Sequence, residues 1–279
     1  MNIREYRIKT KQQLNHKGIQ DAARNVDRIL MKQLGLSKME LTIGEGKELT
    51  NMQKEQLDTD INLLLQHIPV QYIVQEQEFM KLPFYVNEHV LIPQPDTEIL
   101  VETIVEQYAG KDVTILDLCT GSGAIAISIA HYLPKANIVA TDISQDALEV
   151  AKRNATTLQV ADRIQFYQAD IWEGLPAQKW DVIVSNPPYI ETAVIPTLAL
   201  EVQKEPHIAL DGGIDGLYFY RNIIIKAPQY LQEQGALYLE IGYNQKEAVE
   251  QIAIQTKQYT KIIHRKDLEG NDRVIECRR

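Results

Sequence analysis

Cysteine is nearly absent: Cys119 and Cys277 are the only two in 279 residues, too few for a disulfide framework and not spaced as metal ligands. Neither thiol points to export or to zinc. Long hydrophobic runs are missing as well. The most apolar stretch, Ile61–Val70, is interrupted by Gln66, His67 and Pro69, well short of the roughly 20 residues a membrane span needs. The opening residues M-N-I-R-E-Y-R-I-K-T-K are charged and carry no apolar core of a signal peptide. These absences predict a soluble, cytoplasmic protein with no membrane association. Positive charge is in deficit too, with 29 Lys and Arg against 38 Asp and Glu and a formal net charge of -9. A chain that tracks a phosphate backbone spends many cations on counterion release, so stable nucleic-acid binding is disfavoured. The deficit is uneven, because the first 35 residues hold eight basic side chains and three acidic ones. That end is either a solvated helix face or a surface for an acidic partner or RNA.

What is present is ordinary globular material, 44% hydrophobic and 24% charged, without repeats or low-complexity segments. It suffices for one small domain and one full-sized one. Ile19, Ala22, Ala23, Val26, Ile29, Leu30 and Leu34 follow the i, i+3, i+4, i+7 spacing of a single buried helical stripe, ended by Gly35. Met52, Leu57, Ile61, Leu64, Leu65 and Ile68 repeat the period up to Pro69. Residues 1–69 are therefore predicted as an all-helical domain. From Val70 the pattern turns strand-like, with Tyr72-Ile73-Val74 and Phe84-Tyr85-Val86 around a Lys81-Leu82-Pro83 turn, so a β-hairpin linker is expected over 70–94.

After Pro95 a helix over 97–108 precedes alternating units: strand 113–118, helix 124–132, strand 137–141, helix 144–157, strand 163–167 and strand 180–184. A helix over 218–231, a strand over 236–241, a helix over 245–255 and two strand-like runs, 259–264 and 273–277, follow. Strands separated by helices imply a parallel sheet with right-handed crossovers. The last two runs are joined too tightly for a crossover helix and must be antiparallel. A parallel sheet closed by such a hairpin is the seven-stranded, Rossmann-like plan of class I methyltransferases, expected over 95–279.

Four features carry chemistry. D-L-C-T-G-S-G-A-I-A, Asp117–Ala126, lies between a strand and a helix, where Gly121 and Gly123 let backbone N–H groups approach a ligand. Asp142 ends the next strand, placed to accept both hydroxyls of a ribose. Alone, these two also suit a dinucleotide-dependent oxidoreductase. Asp170 and Ile171, with Trp172, follow the third strand and suit an adenine, although a Trp is as often simply core. S-N-P-P-Y-I, Ser185–Ile190, discriminates. Consecutive prolines fix the backbone and supply no N–H, so the Pro187 carbonyl and the Asn186 side-chain oxygen are acceptors suited to an NH₂ group. Tyr189 is expected against the flat face of a planar amide or base. An amide nitrogen is a poor nucleophile, so catalysis rests on alignment and on stabilising the charge that develops at nitrogen. No metal is required.

With Val90–Glu98 (V-L-I-P-Q-P-D-T-E) and Gly212–Tyr220 (G-G-I-D-G-L-Y-F-Y), these segments resemble the HemK/PrmC family, the peptide chain release factor glutamine N(5)-methyltransferases, over nearly the whole chain. N-P-P-Y alone is shared with adenine-N6 and guanine-N2 nucleic-acid methyltransferases; the other segments narrow the choice. The resemblance implies transfer of a methyl group from S-adenosylmethionine, leaving S-adenosylhomocysteine, to the glutamine of the Gly-Gly-Gln motif of class 1 translation release factors, which the helical domain recognises. It assigns Thr120, Gly121, Ser122 and Gly123 to the methionine part of the cofactor, Asp142 to the ribose, Asp170 and Ile171 to the adenine, and Asn186 both to the cofactor and to the reacting amide. Asn186, Pro187 and Tyr189 form the catalytic set, and Pro188 completes the substrate site. Gln94 stands where the family usually has Arg, and Cys119 where many relatives have Gly, as a small packing residue and not a nucleophile. A ribosomal-protein glutamine or a nucleic-acid amino group as substrate, a dinucleotide oxidoreductase and a non-catalytic binding module are the competing readings.

Overall fold

The structure, a computed structural model, describes residues 1–279 and divides into two compact units. The first comprises Met1–Glu76 with Ala199–Lys204. Its helices are α1 (Ile3–His16), α2 (Ala22–Leu34), α3 (Lys38–Ile43), α4 (Asn51–Leu64) and α5 (Val70–Val74). Three of them open on capping boxes: Asn2 with Glu5, Ser37 with Glu40 and Thr50 with Gln53. Each box satisfies two N–H groups that would otherwise lack partners at a helix start. Gly35, at φ 64°, ends α2 in the left-handed conformation that a residue without Cβ adopts freely. Leu14, Val26, Ile29, Leu30, Leu57 and Leu64 are almost wholly buried and form the centre of this unit.

The strand expected at Tyr72–Val74 is helical. Pro69 precedes the turn, and as α5 the segment places Val70 and Val74 on one face, in the core of the helical unit. A strand there would need a partner, and the hairpin forms just beyond it. Strands β1 (Gln77–Phe79) and β2 (Leu82–Phe84) pair in antiparallel register around Met80 and Lys81, both at positive φ, as tight two-residue hairpin turns require. Met80 is held from both sides, its N–H by Glu98 and its carbonyl by the Tyr132 hydroxyl. Phe79 and Phe84 lie in the core of the second unit, to which the hairpin belongs.

That second unit comprises Gln77–Leu198 and Glu205–Arg279. In chain order it continues with α6 (Glu98–Tyr108), β3 (Val113–Leu118), α7 (Ala124–Tyr132), β4 (Ala136–Asp142), α8 (Gln145–Thr157), β5 (Ile164–Gln168) and β6 (Trp180–Ser185). Then come α9 (His207–Leu210), α10 (Tyr218–Tyr230), β7 (Leu231–Glu240), α11 (Lys246–Thr256), β8 (Lys261–Lys266) and β9 (Asp272–Arg278). The seven-stranded sheet runs β5-β4-β3-β6-β7-β9-β8. Every pairing is parallel except the two made by β9. Nearly continuous apolar runs such as I-L-D-L in β3 and V-I-V in β6 are what a sheet buried on both faces demands. One apolar cluster centres on α6 and α7, the other on α10 and α11. The order reverses between β3 and β6, and an open sheet of this kind binds ligands beyond the carboxyl ends of the strands at such a point. No helix is long and apolar enough to cross a membrane.

Candidate active site

A cavity of about 290 Å³ opens over the carboxyl ends of β3, β4 and β6, within the second unit. Its walls include Thr120, Gly121 and Ser122 after β3, Asp142 at the end of β4, Asp170 and Ile171 after β5, and Asn186 and Pro188 after β6. The structure thus brings together most of the residues expected from sequence. Gly123, Pro187 and Tyr189 are not on the wall.

The glycine loop is built against Asp142. This carboxylate accepts the Gly121 N–H on one oxygen and the Ser144 N–H on the other, each at 2.9 Å. Burial pushes its pKa up, while the backbone N–H groups of Ser144, Gly121 and Ile143 favour the charge. Each carboxylate oxygen accepts more than one hydrogen bond, so both retain lone pairs for a pair of hydroxyls. Gly123, at φ 81°, has a different task from Gly121: a Cβ there would stand 2.7 Å from Ile127 Cδ1 and 3.1 Å from Ala151 Cβ. It lets α7 and α8 approach, and its absence from the wall follows. Cys119, at φ 59°, occupies a conformation that favours glycine. Burial raises its thiol pKa, which disfavours the thiolate. Beneath the loop the buried Asp117 accepts from the Thr120 hydroxyl at 2.6 Å, and burial lifts its pKa to about 7.

After β5, Ile171 holds φ 51°, a rare conformation for a β-branched residue, inside the tight turn closed by mutual Asp170–Glu173 backbone hydrogen bonds. Strain of this kind concentrates where a ligand is clamped. Trp172 does not share the wall, contrary to its suggested contact with an adenine. Its ring stacks on Tyr230 at 4.5 Å and its Nε1–H donates to the Asn222 carbonyl, because the turn at Ile171 directs it into the core around α10.

The N-P-P-Y loop is gripped by G-G-I-D-G-L, a motif whose purpose the sequence does not disclose. Ile190 and Asp211 form a parallel bridge, with Ile190 N–H donating to Leu210 and Gly212 N–H to Ile190. A Cβ on Gly212 would lie 2.7 Å from Tyr189 Cα, and one on Gly216 would lie 2.4 Å from the Tyr189 carbonyl oxygen. The glycines are there because backbone packs on backbone. Gln245 completes the grip by donating to the carbonyls of Tyr189 and Gly216. Tyr189 turns its side chain towards the buried Glu240, donating its hydroxyl at 3.3 Å, so the ring braces the loop and does not form the cavity wall. Asn186 faces the cavity, and its Nδ2 donates to Thr97 Oγ1 at 3.2 Å.

Two further residues have no sequence signal of their own. Asn154, fully buried on α8, satisfies the Ser122 carbonyl and both polar groups of the Tyr85 backbone. Glu205, just before the wall residue Pro206, accepts the Ile92 N–H at 2.8 Å and so ties V-L-I-P-Q-P to the Pro206 segment of the wall. Burial raises its pKa to about 7. Gln94 lines the cavity with its amide turned to the Ile92 carbonyl.

The fold has counterparts among solved structures. The hMettl16 catalytic domain aligns with a TM-score of 0.59 at 14% identity, covering 84% of this chain and 83% of that one. A methyltransferase from Pyrococcus furiosus aligns at 0.54 and 16%, covering 82% and 98%. A family model described as the methyltransferase small domain matches residues 94–213. The second unit thus has the Rossmann-like fold of class I methyltransferases and carries a methyltransferase domain. A second model, the PrmC N-terminal domain, matches residues 5–74. The release factor glutamine methyltransferase of Moorella thermoacetica is 47% identical over 74% of this chain and 73% of its own length. That of Clostridium botulinum is 38% identical over 90% of each. The chain also spans 57% of the length of a bifunctional methyltransferase from Rickettsia felis, at 38% identity. It belongs to the family of release factor glutamine methyltransferases.

Proposed function

We propose that the protein transfers a methyl group from S-adenosylmethionine to the side-chain amide nitrogen of the glutamine in the Gly-Gly-Gln motif of class 1 release factors, with the helical unit recognising that protein. The observation that carries this reading is the shared cavity, in which Asn186 faces the same space as the glycine loop and Asp142. S-adenosylmethionine supplies an electrophilic methyl on a sulfonium. The chain's residues do the rest. Thr120, Gly121, Ser122 and the adjoining Gly123 hold the amino-acid end, Asp142 the ribose hydroxyls, and Asp170 with Ile171 the adenine. Asn186 accepts one N–H of the glutamine amide at the wall, the Pro187 carbonyl, which lies off the wall, is assigned the second, and Pro188 provides a flat apolar wall. These acceptors turn the nitrogen in line with the methyl and stabilise its growing positive charge until a proton leaves to water.

Asn186→Ala tests the assignment. Methyl transfer to a purified release factor is expected to fall by at least about a hundredfold, the effect of removing one such electrostatic contact. Binding of S-adenosylhomocysteine stays within a few-fold in calorimetry. Full turnover in this variant overturns the site.

A further inference from the structure

An asparagine amide has a donor end and an acceptor end, so whichever end is tied down inside the protein decides what the other offers the cavity. The tie is Thr97, buried at 5% exposure in the P-D-T-E segment, whose Oγ1 receives the Asn186 Nδ2–H. A threonine hydroxyl has one proton to give. Close to it on β7 stands Glu240, 2% exposed. The Tyr189 hydroxyl serves Glu240 Oε1, while Oε2 is buried with no hydrogen bond formed. Burial raises the Glu240 pKa, while the nearby Thr97 hydroxyl, the Arg273 guanidinium and Tyr189 each favour its ionised form.

We propose that Thr97 and Glu240 are positioning residues that set the polarity of Asn186: the carboxylate draws the single hydroxyl proton, the hydroxyl oxygen is left as an acceptor, and the Asn186 amide is held with its NH₂ inward and Oδ1 towards the cavity. The inference rests on the reading of Asn186 as the group that receives the substrate amide. A reversed Asn186 would set NH₂ against the NH₂ of the glutamine, leaving donors unpaired on both sides. The network also gives P-D-T-E a task, since its Asp96 pairs with Arg273 at 2.9 Å and Arg273 pairs with Asp267 at 3.1 Å.

The groups facing Glu240 are Thr97, Tyr189, Arg273, Asp96 and Tyr220, the last donating its hydroxyl to the Glu240 carbonyl. Protonation of Glu240 converts an acceptor into a donor and releases the Thr97 proton from its fixed direction. The turnover number is therefore expected to fall as pH drops through the Glu240 pKa, which burial places at about 7.

The experiment compares Thr97→Val, Thr97→Ser, Glu240→Gln and Asn186→Ala in the full chain, with purified release factor and S-adenosylmethionine. Thr97→Val is expected to lower kcat on the order of a hundredfold, as a misplaced reacting group does, with KM for the release factor and affinity for S-adenosylhomocysteine little changed. Thr97→Ser restores kcat, because it returns the hydroxyl. In Glu240→Gln the acidic limb of the kcat profile disappears. Wild-type kcat in Thr97→Val, alongside an inactive Asn186→Ala, overturns the positioning role and leaves the site assignment intact. Wild-type kcat in Asn186→Ala overturns that assignment instead. A Thr97→Ser enzyme as slow as Thr97→Val, or an acidic limb that persists in Glu240→Gln, also overturns the inference.

Discussion

Gly216→Ala places the added methyl at the point where two loops touch. The new Cβ would sit 2.4 Å from the Tyr189 carbonyl oxygen and 2.6 Å from Gln245 Nε2, on a backbone at φ 68°. A left-handed alanine costs about 1–2 kcal/mol, and overpacking a filled site costs about 1–3 kcal/mol more. Together they predict a melting temperature lower by roughly 5–15 °C for a unit of this size. Gln245 can swing away, but the carbonyl cannot move without moving the loop to which Tyr189, Pro188 and Asn186 belong. A shift of about 1 Å at the reacting amide is enough for a loss on the order of a hundredfold in kcat. The glycine loop is anchored separately, Gly121 on Asp142, so affinity for S-adenosylhomocysteine should hold within a few-fold. The assay is turnover on a release factor, with thermal melting and calorimetry on the same preparations. Gly46→Ala, whose Cβ meets nothing within 4 Å, is the control and should match wild type. A Gly216→Ala enzyme that melts early but turns over normally refutes the claim that this glycine holds the N-P-P-Y loop in place.

Asp142→Ala removes an acceptor that binds Gly121 and Ser144. With charge-assisted hydrogen bonds worth about 1.5–3 kcal/mol each, affinity for S-adenosylhomocysteine measured by calorimetry should drop at least about tenfold. Cys119→Gly relieves a left-handed non-glycine residue and should leave turnover intact while raising stability by up to about 1 kcal/mol, read from denaturant unfolding. Glu205 binds its proton more tightly folded than unfolded, so its favourable contribution is complete below pH 4.5 and is lost as pH rises through about 7. Glu205→Gln keeps an acceptor for Ile92 and should therefore stabilise the protein at pH 8, by up to roughly 3 kcal/mol, with little effect near pH 5.

Where local signals were strong, the sequence was legible to the residue. β3 and α7 begin and end at the expected positions because a buried apolar strand, a glycine loop and a helix follow one another without ambiguity. The β8–β9 hairpin followed from a connection too short for a helix. Val70–Val74 was misread because V-Q-Y-I-V suits either a strand or a helical turn, and the absence of a partner strand is a tertiary fact. Trp172 and Tyr189 could be placed near the site from sequence but not aimed, since one turn at positive φ and one buried carboxylate direct them elsewhere. Thr97 and Asn186 are 89 positions apart, and Tyr189 and Glu240 are 51. No periodicity connects such pairs. The G-G-I-D-G-L segment was recognisable by resemblance, yet its physical reason, backbone packed on backbone at Tyr189, is visible only in three dimensions.

The most direct measurement is mass spectrometry of a purified class 1 release factor after incubation with the protein and S-adenosylmethionine, mapping each added methyl to a residue. A single methyl on the side-chain amide of the Gly-Gly-Gln glutamine is expected, absent when Asn186→Ala replaces the wild type. An unmodified glutamine on a competent factor, or a methyl mapped to any other residue, would contradict it.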